Sequence, residues 1–214
     1  MSVRDKLARR AQRAGVSFAP SVAEGLAAYF ELLQKWNRKV SLTALPVEDA
    51  GDEAIDRLLI EPAVAAKSLP SPESRIIDVG SGGGSPAIPL RLVAPGTSLR
   101  MVESKTRKAA FLREAARVLE LERTEVDAVR FEELLARPEL HETMDVVTLR
   151  AVKVEPKTLA ALQSFLRLGG LLFLFGTSAN PITDKATPQL TAMNTQVLLK
   201  QWGSQLQILR KSSS

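Results

Sequence analysis

The chain has 214 residues, 45% of them hydrophobic, a formal net charge of +5 and a pI of about 9.7. This length predicts one domain with a real core, and the positive balance suits a polyanionic partner. With no cysteine and a single histidine, His141, disulfides, zinc–thiolate sites and Ser-His-Asp, Cys-His or His-metal chemistry are excluded or nearly so.

No apolar run reaches the roughly 20 residues that span a bilayer, and the basic N-terminus lacks the apolar stretch of a secretory signal. A cytoplasmic, monomeric protein without a metal is expected. Residues 3 to 14 set Arg4, Lys6, Arg9, Arg10 and Arg13 around Val3, Leu7 and Ala11, which predicts a basic amphipathic helix with a solvated or RNA-facing stripe. Ser21-Val-Ala-Glu24 reads as a capping box, followed by a helix through Leu26, Phe30, Leu33 and Trp36. Trp36 fits a core position better than a base-stacking platform, while Arg38 and Lys39 face outward. Pro46 breaks the pattern, and two helices are expected over 48–60 and 61–69.

From residue 75 the apolar periods alternate. Strands are expected at 75–79, 98–102, 124–128, 144–149 and 170–175, with helices at 86–94, 106–120, 131–136 and 156–167. Alternating βα units imply a parallel sheet with right-handed crossovers. Leu168-Gly169-Gly170 reads as a helix C-cap. Strands near 194–201 and 205–210 read as a hairpin turning at Trp202-Gly203-Ser204 on the sheet edge.

The chain is organised around Arg75 to Leu90. A short apolar strand bearing Asp78 runs into Gly80, Gly82, Gly83 and Gly84, and Pro86 opens the next helix. Glycines permit positive φ and close approach of a ligand, so this is the nucleotide-side turn of a Rossmann-like βαβ unit. The third glycine of a dinucleotide fingerprint would fall on Ser85, which argues against a nicotinamide cofactor. Glu103 ends the second strand, 19 residues after Gly84, where an acid can accept hydrogen bonds from a ribose diol. Lys105, Arg107 and Lys108 begin the following helix against its dipole, a local cost that an anionic partner would offset. Arg150 ends the fourth strand, where open α/β sheets bind ligands. The alternative for Arg150 is an ion pair with Glu132 or Glu155, and for Arg130 a salt bridge with Glu132 or Glu133.

The pattern Asp78-x-Gly80-x-Gly82-x-Gly84 is similar to the first motif of class I S-adenosylmethionine methyltransferases. Together with Leu33-x-x-Trp36-Asn-x-x-x-Ser-Leu-Thr43, Gly84-Ser-Pro-Ala-Ile-Pro-Leu90, Glu103-Ser104, Arg107-Lys108, Phe111-Leu112, Arg130-Phe-Glu-Glu133 and Asp145-Val-Val-Thr-Leu-Arg-Ala151, it makes residues 25 to 176 resemble one family. That family is the glucose-inhibited division protein B family of 16S ribosomal RNA guanine-N7 methyltransferases. The resemblance implies an α/β class I methyltransferase fold, Rossmann-like with a mostly parallel seven-stranded sheet, at 71–214, carrying a helical extension at 1–70. It implies S-adenosyl-L-methionine as donor and N7 of a guanine in the 530 loop of 16S rRNA, within the small ribosomal subunit, as target. Carried onto this sequence, the donor site falls on Asp78, Gly80, Ser81, Gly82, Gly84, Pro86, Glu103, Ser104, Phe131, Glu132 and Arg150. The RNA contacts fall on Arg38, Lys39, Arg57, Arg130 and Arg150. The chain departs from the family pattern at Ser41, Leu149, Phe175 and the run Asp56-Arg57-Leu-Leu-Ile-Glu61. The residues alone leave open a small-molecule methyltransferase and a non-catalytic RNA-binding module on the same fold.

Overall fold

In the computed structural model, residues 2–150, 155–176 and 189–213 are described. Ala151 and the loop expected after Gly176 lie outside them. The sheet has seven strands: β1 (Arg75–Val79), β2 (Ser98–Val102), β3 (Thr124–Asp127), β4 (Met144–Arg150), β5 (Leu166–Gly176), β6 (Leu190–Leu199) and β7 (Ser204–Lys211). Their spatial order is β3-β2-β1-β4-β5-β7-β6, with β7 antiparallel to both neighbours and the first five strands parallel. The order reverses between β1 and β4, so the crevice that an open α/β sheet offers a ligand lies there.

Both faces of the central strands β1, β4 and β5 are covered, which is why these read as largely apolar runs. Successive side chains alternate between two cores. Ile76, Val146 and Phe173 pack with Leu26, Phe30, Phe111 and Leu112 on one face. Ile77, Val147 and Leu172 pack with Leu134, Leu159 and Leu162 on the other. The helices supplying these faces are α2 (Pro20–Asn37), α5 (Ala87–Val93), α6 (Thr106–Val118), α7 (Phe131–Leu134) and α8 (Pro156–Leu162).

The helical extension departs from expectation in three places. The capping box on Ser21 and Glu24 does not form. Helix α2 starts two residues earlier, behind Ala19 as N-cap, with Pro20 in its first turn, where the missing N–H leaves nothing unpaired. Glu24 pairs with Arg4 at 3.2 Å instead. The basic stripe of α1 (Val3–Arg13) is largely turned to internal bonds. Arg10 is buried and donates to Asp56 (Nε–Oδ1 2.8 Å) and to Asp52 (2.9 Å), Arg9 pairs with Asp52 (3.0 Å), and Lys6 donates to the Asp49 carbonyl (2.7 Å). The third departure is that the two helices expected over 48–69 are one continuous helical run. It comprises α3 (Asp52–Ile55), a π-turn (Asp56–Ile60), α4 (Glu61–Ala65) and a 3₁₀ turn (Ala66–Ser68).

The π-turn follows from Pro62. Proline has no N–H to give the Leu58 carbonyl four residues back, and the Glu61 N–H reaches to Asp56 O instead of Arg57 O. Two carbonyls are therefore released, and both are taken up from the sheet side. Leu58 O accepts from the Ser85 hydroxyl at 2.9 Å and Arg57 O from Arg150 Nη1 at 2.9 Å.

Two further corrections concern β5 and β6. Helix α8 ends at Leu162, and Gly169-Gly170 are not its C-cap but part of an irregularity in β5. The β4–β5 register jumps from Met144↔Leu166 to Val146↔Leu171 there. A Cβ on Gly170 would meet Arg167 O at 2.9 Å and Met144 O at 3.0 Å, so the bulge needs its glycine. The hairpin forms as expected, but β6 begins at Leu190, and Gly203 turns it with φ +58°. Among the described residues no helix is long and apolar enough to cross a membrane.

Asp56, 1% exposed, joins the ends of the chain. It accepts from Arg10, from Trp202 Nε1 (2.7 Å) and from Gln201 Nε2 (3.0 Å). Removing one partner of a buried, hydrogen-bonded ion pair costs about 3–5 kcal/mol. Asp56→Ala is expected to lower unfolding free energy by that amount in urea titrations. Arg117→Ala, which breaks only the exposed pair with Glu114 (2.9 Å), leaves the midpoint in place.

Candidate active site

Strand β1 delivers its chain into the glycine turn at the switch point. Gly80, Gly82 and Gly84 have φ of +72°, +54° and +86°. The turn is held from within: the Ser81 hydroxyl donates to Asp78 O at 3.0 Å, and the Gly80 and Ser81 N–H groups donate to Val102 O. It is also held by the helical extension. Tyr29, buried in α2, donates its hydroxyl to Gly83 O, and burial pushes its pKa well above the ordinary phenol value, so it stays a donor. A Cβ on Gly83 would lie 3.1 Å from Leu33 Cδ1 and 3.2 Å from Leu42 O, and one on Gly84 only 2.6 Å from Ile88 Cδ1. These two glycines let the extension and α5 close onto the turn.

Two adjoining cavities open beside it. The first, of about 430 Å³, is lined by Leu42, Thr43, Arg57, Gly80, Ser81, Gly82, Gly83, Ser85, Glu103, Lys108 and Arg150, among others. The second, of about 170 Å³, is lined by Val79, Gly80, Val102, Glu103, Ser104, Val129, Arg130, Phe131, Glu132, Leu149 and Thr158. Gly80 and Glu103 belong to both. The Glu103 carboxylate is fixed by the N–H groups of Gly82 (3.0 Å) and Lys105 (2.7 Å), one on each oxygen, which leaves a lone pair on each for a ligand.

The remaining sequence-derived positions divide cleanly. Asp78, Gly84 and Pro86 are buried and line neither cavity. Asp78 lies beneath the turn. Its Oδ1 accepts from the Thr148 hydroxyl, while Oδ2 is buried without a partner. Burial raises its pKa, partly offset by the hydrogen bond from Thr148. Arg38 is exposed and lines neither cavity, and Lys39 lines a separate groove. Arg130 borders the second cavity and forms no side-chain ion pair among the described residues, contrary to the salt bridge weighed for it.

Among the described residues Arg150 pairs neither with Glu132 nor with Glu155. Its counter-ion is Glu61, at 2.9 Å, whose side chain is 2% exposed. The guanidinium also lies 4.7 Å from the ring centroid of Phe175, and Glu61 further pairs with Arg57 at 3.5 Å. Arg57, Glu61 and Phe175, all within the family-pattern departures, thus surround one side chain. Nε and Nη2 of Arg150 are buried without a partner, beside the first cavity. Burial pulls its pKa down and Glu61 pushes it back. Sequence reasoning gave no role to Glu61, Tyr29 or Thr158, while Lys108, expected near an anionic partner, does line the first cavity. Only Pro62, with its missing donor, signalled that the helix around Glu61 would open carbonyls toward the sheet. His141 is exposed, with Nε2 2.9 Å from Leu135 O, and lines neither cavity.

The family described as "rRNA small subunit methyltransferase G" matches residues 23–201. The "Ribosomal RNA small subunit methyltransferase G" of Geobacter sp. (strain M21) is 33% identical over 199 residues, covering 92% of this chain and 88% of that protein. The protein of the same name from Roseiflexus castenholzii is 36% identical over 148 residues, covering 69% of this chain but 62% of the longer relative. Among solved structures, precorrin-6y C5,15-methyltransferase from Geobacter metallireducens superposes with a TM-score of 0.51 at 14% identity, over 71% of this chain and 87% of that one, a likeness of fold.

The unpaired Asp78 oxygen makes a stability prediction. An acid whose folded-state pKa is raised destabilises the fold above the ordinary carboxylate pKa and not below it. Asp78→Asn keeps an acceptor for Thr148 and removes the buried charge. Its Tm should exceed that of the parent at pH 7, by about 3 °C if the gain is about 1 kcal/mol. The difference should vanish as pH falls through the carboxylate range, which differential scanning calorimetry at pH 7 and pH 4 reads directly.

Proposed function

Because the chain belongs to the rRNA small subunit methyltransferase G family, we propose that it transfers a methyl group from S-adenosyl-L-methionine to 16S ribosomal RNA in the small ribosomal subunit, and specifically to N7 of a guanine in the 530 loop. The observation that carries the donor assignment is the pair of cavities meeting at Gly80 and Glu103. The residues fit an elongated nucleoside with an amino-acid tail. In the smaller cavity Val102, Val129, Phe131 and Leu149 offer apolar surface to an adenine, with Ser104 and Glu132 at its border. Glu103, with its free lone pairs, is the acceptor for a ribose diol between the cavities. On the other side, Gly80, Ser81, Gly82 and Gly83 allow close approach, and the unpaired Arg150 N–H groups suit a carboxylate or phosphate. Asp78, Gly84 and Pro86 act through the shape of the turn and not by contact.

When bound, the donor supplies an electrophilic methyl group on a sulfonium. Guanine N7 carries a free lone pair at neutral pH, so the protein has to orient and desolvate the base and needs no general base. This agrees with a chain that has no cysteine and whose one histidine lies apart from the cavities. Arg57, Lys108 and Arg150 at the larger cavity, with Arg130 at the smaller, supply positive charge for an RNA backbone. Lys39 and Arg38 extend that charge along the surface.

The direct test offers methyl-labelled donor to small subunits that lack the modification and to deproteinised 16S rRNA, and maps the label. Label at a guanine N7 in the 530 loop is expected. Label elsewhere, or in neither RNA, overturns the assignment. Glu103→Ala removes a charged acceptor worth roughly 1.5–3 kcal/mol, so donor Kd by isothermal titration should rise on the order of 10- to 100-fold. An unchanged Kd would remove Glu103 from the donor site.

A further inference from the structure

A third concavity lies outside the two cavities at the glycine turn. It is a groove of about 480 Å³ between the end of α2 and the start of α6, lined by Lys35, Trp36, Lys39, Val40, Arg107 and Ala110, with Glu114 at one end. We propose that this groove is a second RNA subsite, which seats a single-stranded nucleotide neighbouring the one that enters the larger cavity. The proposal rests on the RNA-methyltransferase reading for its biological setting, but its physical basis is separate.

The groove is built by the turn that ends α2. The Asn37 side-chain oxygen accepts from the N–H groups of Leu42 (2.8 Å) and Thr43 (3.1 Å), and the Val40 N–H donates to Trp36 O (2.9 Å). The chain thereby folds back and sets Val40 beside Trp36. Trp36 is anchored from the core side by Phe111, ring centroids 5.7 Å apart and tilted by 60°. Trp36, Val40 and Ala110 give the groove an apolar lining. Above it stand three exposed cations, Lys35, Lys39 and Arg107. Arg107 reaches across to Lys39 O at 3.4 Å, so the two walls meet.

Charge decides the occupant. None of the three cations is in a salt bridge among the described residues, whereas the basic residues of α1 are largely turned to internal partners. The single acid at the groove, Glu114, is spent on Arg117, which donates to it at 2.9 and 3.0 Å. Arg107 and Lys108 lie in the first turn of α6, which contains no acid. Repulsion from the helix dipole there is relieved by an anion. An apolar lining with unpaired cations at the rim matches a base and its phosphates. Flat bases and phosphates occur together in single-stranded nucleic acid. The groove also neighbours the site along the chain. Trp36 and Val40 line the groove while Leu33 and Leu42 line the larger cavity, and Arg107 faces the groove while its neighbour Lys108 faces the cavity. One turn of chain and one helix start therefore serve both.

The test uses the full chain and two variants, the double charge reversal Lys39→Glu/Arg107→Glu and the groove-filling Ala110→Phe. Thermal melts and donor titrations check that both are folded with the donor site intact. The probes are a fluorescein-labelled ten-nucleotide single-stranded RNA and small subunits lacking the methyl group. Charge reversal should weaken oligonucleotide binding at least about tenfold at low salt and reduce the slope of log K against log salt by about one to two. Ala110→Phe should weaken it with the slope unchanged. KM for subunits should rise about tenfold or more in both, at the parent's donor Kd. Unchanged oligonucleotide affinity and slope in both variants would overturn the subsite. A rise in subunit KM without loss of oligonucleotide binding would assign the groove to a protein partner and also overturn it. If the parent methylates no rRNA, the functional assignment falls, while the oligonucleotide measurements still decide the groove.

Discussion

One missing N–H shapes the site. Pro62 cannot complete the helix that contains it, and the local response is a π-turn that frees the carbonyls of Arg57 and Leu58. Both are bonded by groups from the sheet side, Arg150 at the end of β4 and Ser85 just after the glycine turn. The same run of helix puts Glu61 against Arg150, so the guanidinium receives a carbonyl and a carboxylate from residues four apart. A cation in that position would otherwise be costly to bury. The helical extension is thus a wall of the site. Tyr29, Leu33 and Leu42 repeat the pattern on the other side of the glycine turn.

The distribution of positive charge follows a simple division. In α1 most basic residues are consumed inside the extension, and Arg10 acts as a core residue. Around the turn that ends α2, the first turn of α6 and the end of β4, cations are left with donors unused. At Arg150 burial disfavours the charge, while the nearby carboxylates of Glu61 and Asp78 favour it.

The sheet and its switch point were legible because periodicity reports burial directly. Ile76, Ile77 and Val79, and Leu171 to Phe175, are apolar on both faces and read as inner strands. The glycine turn was legible because Gly80, Gly82 and Gly84 need positive φ, and Glu103 because it follows a strand next to that turn. What resisted reading depended on partners distant in sequence. Ser21 and Glu24 satisfy the capping pattern, but Pro20 and the pull of Arg4 start the helix elsewhere. Gly169 and Gly170 match a helix end and instead accommodate a bulge against Met144. Arg150 was expected to meet Glu132 or Glu155, and nothing local could reveal Glu61, 89 residues upstream. The basic stripe of α1 looked solvated because the acids that bury Arg10 lie beyond α2.

The node at Asp56 also bears on the order in which the protein is made. Its partners Gln201 and Trp202 lie 145 and 146 residues further along the chain. During synthesis the N-terminal helices with their Arg10–Asp56 ion pair are produced first, and the side chains that donate further hydrogen bonds to Asp56 emerge much later. Closing so long a loop is slow and depends on the intervening sheet. A nascent chain therefore holds Asp56 through Arg10 alone until the closing hairpin brings its two further donors.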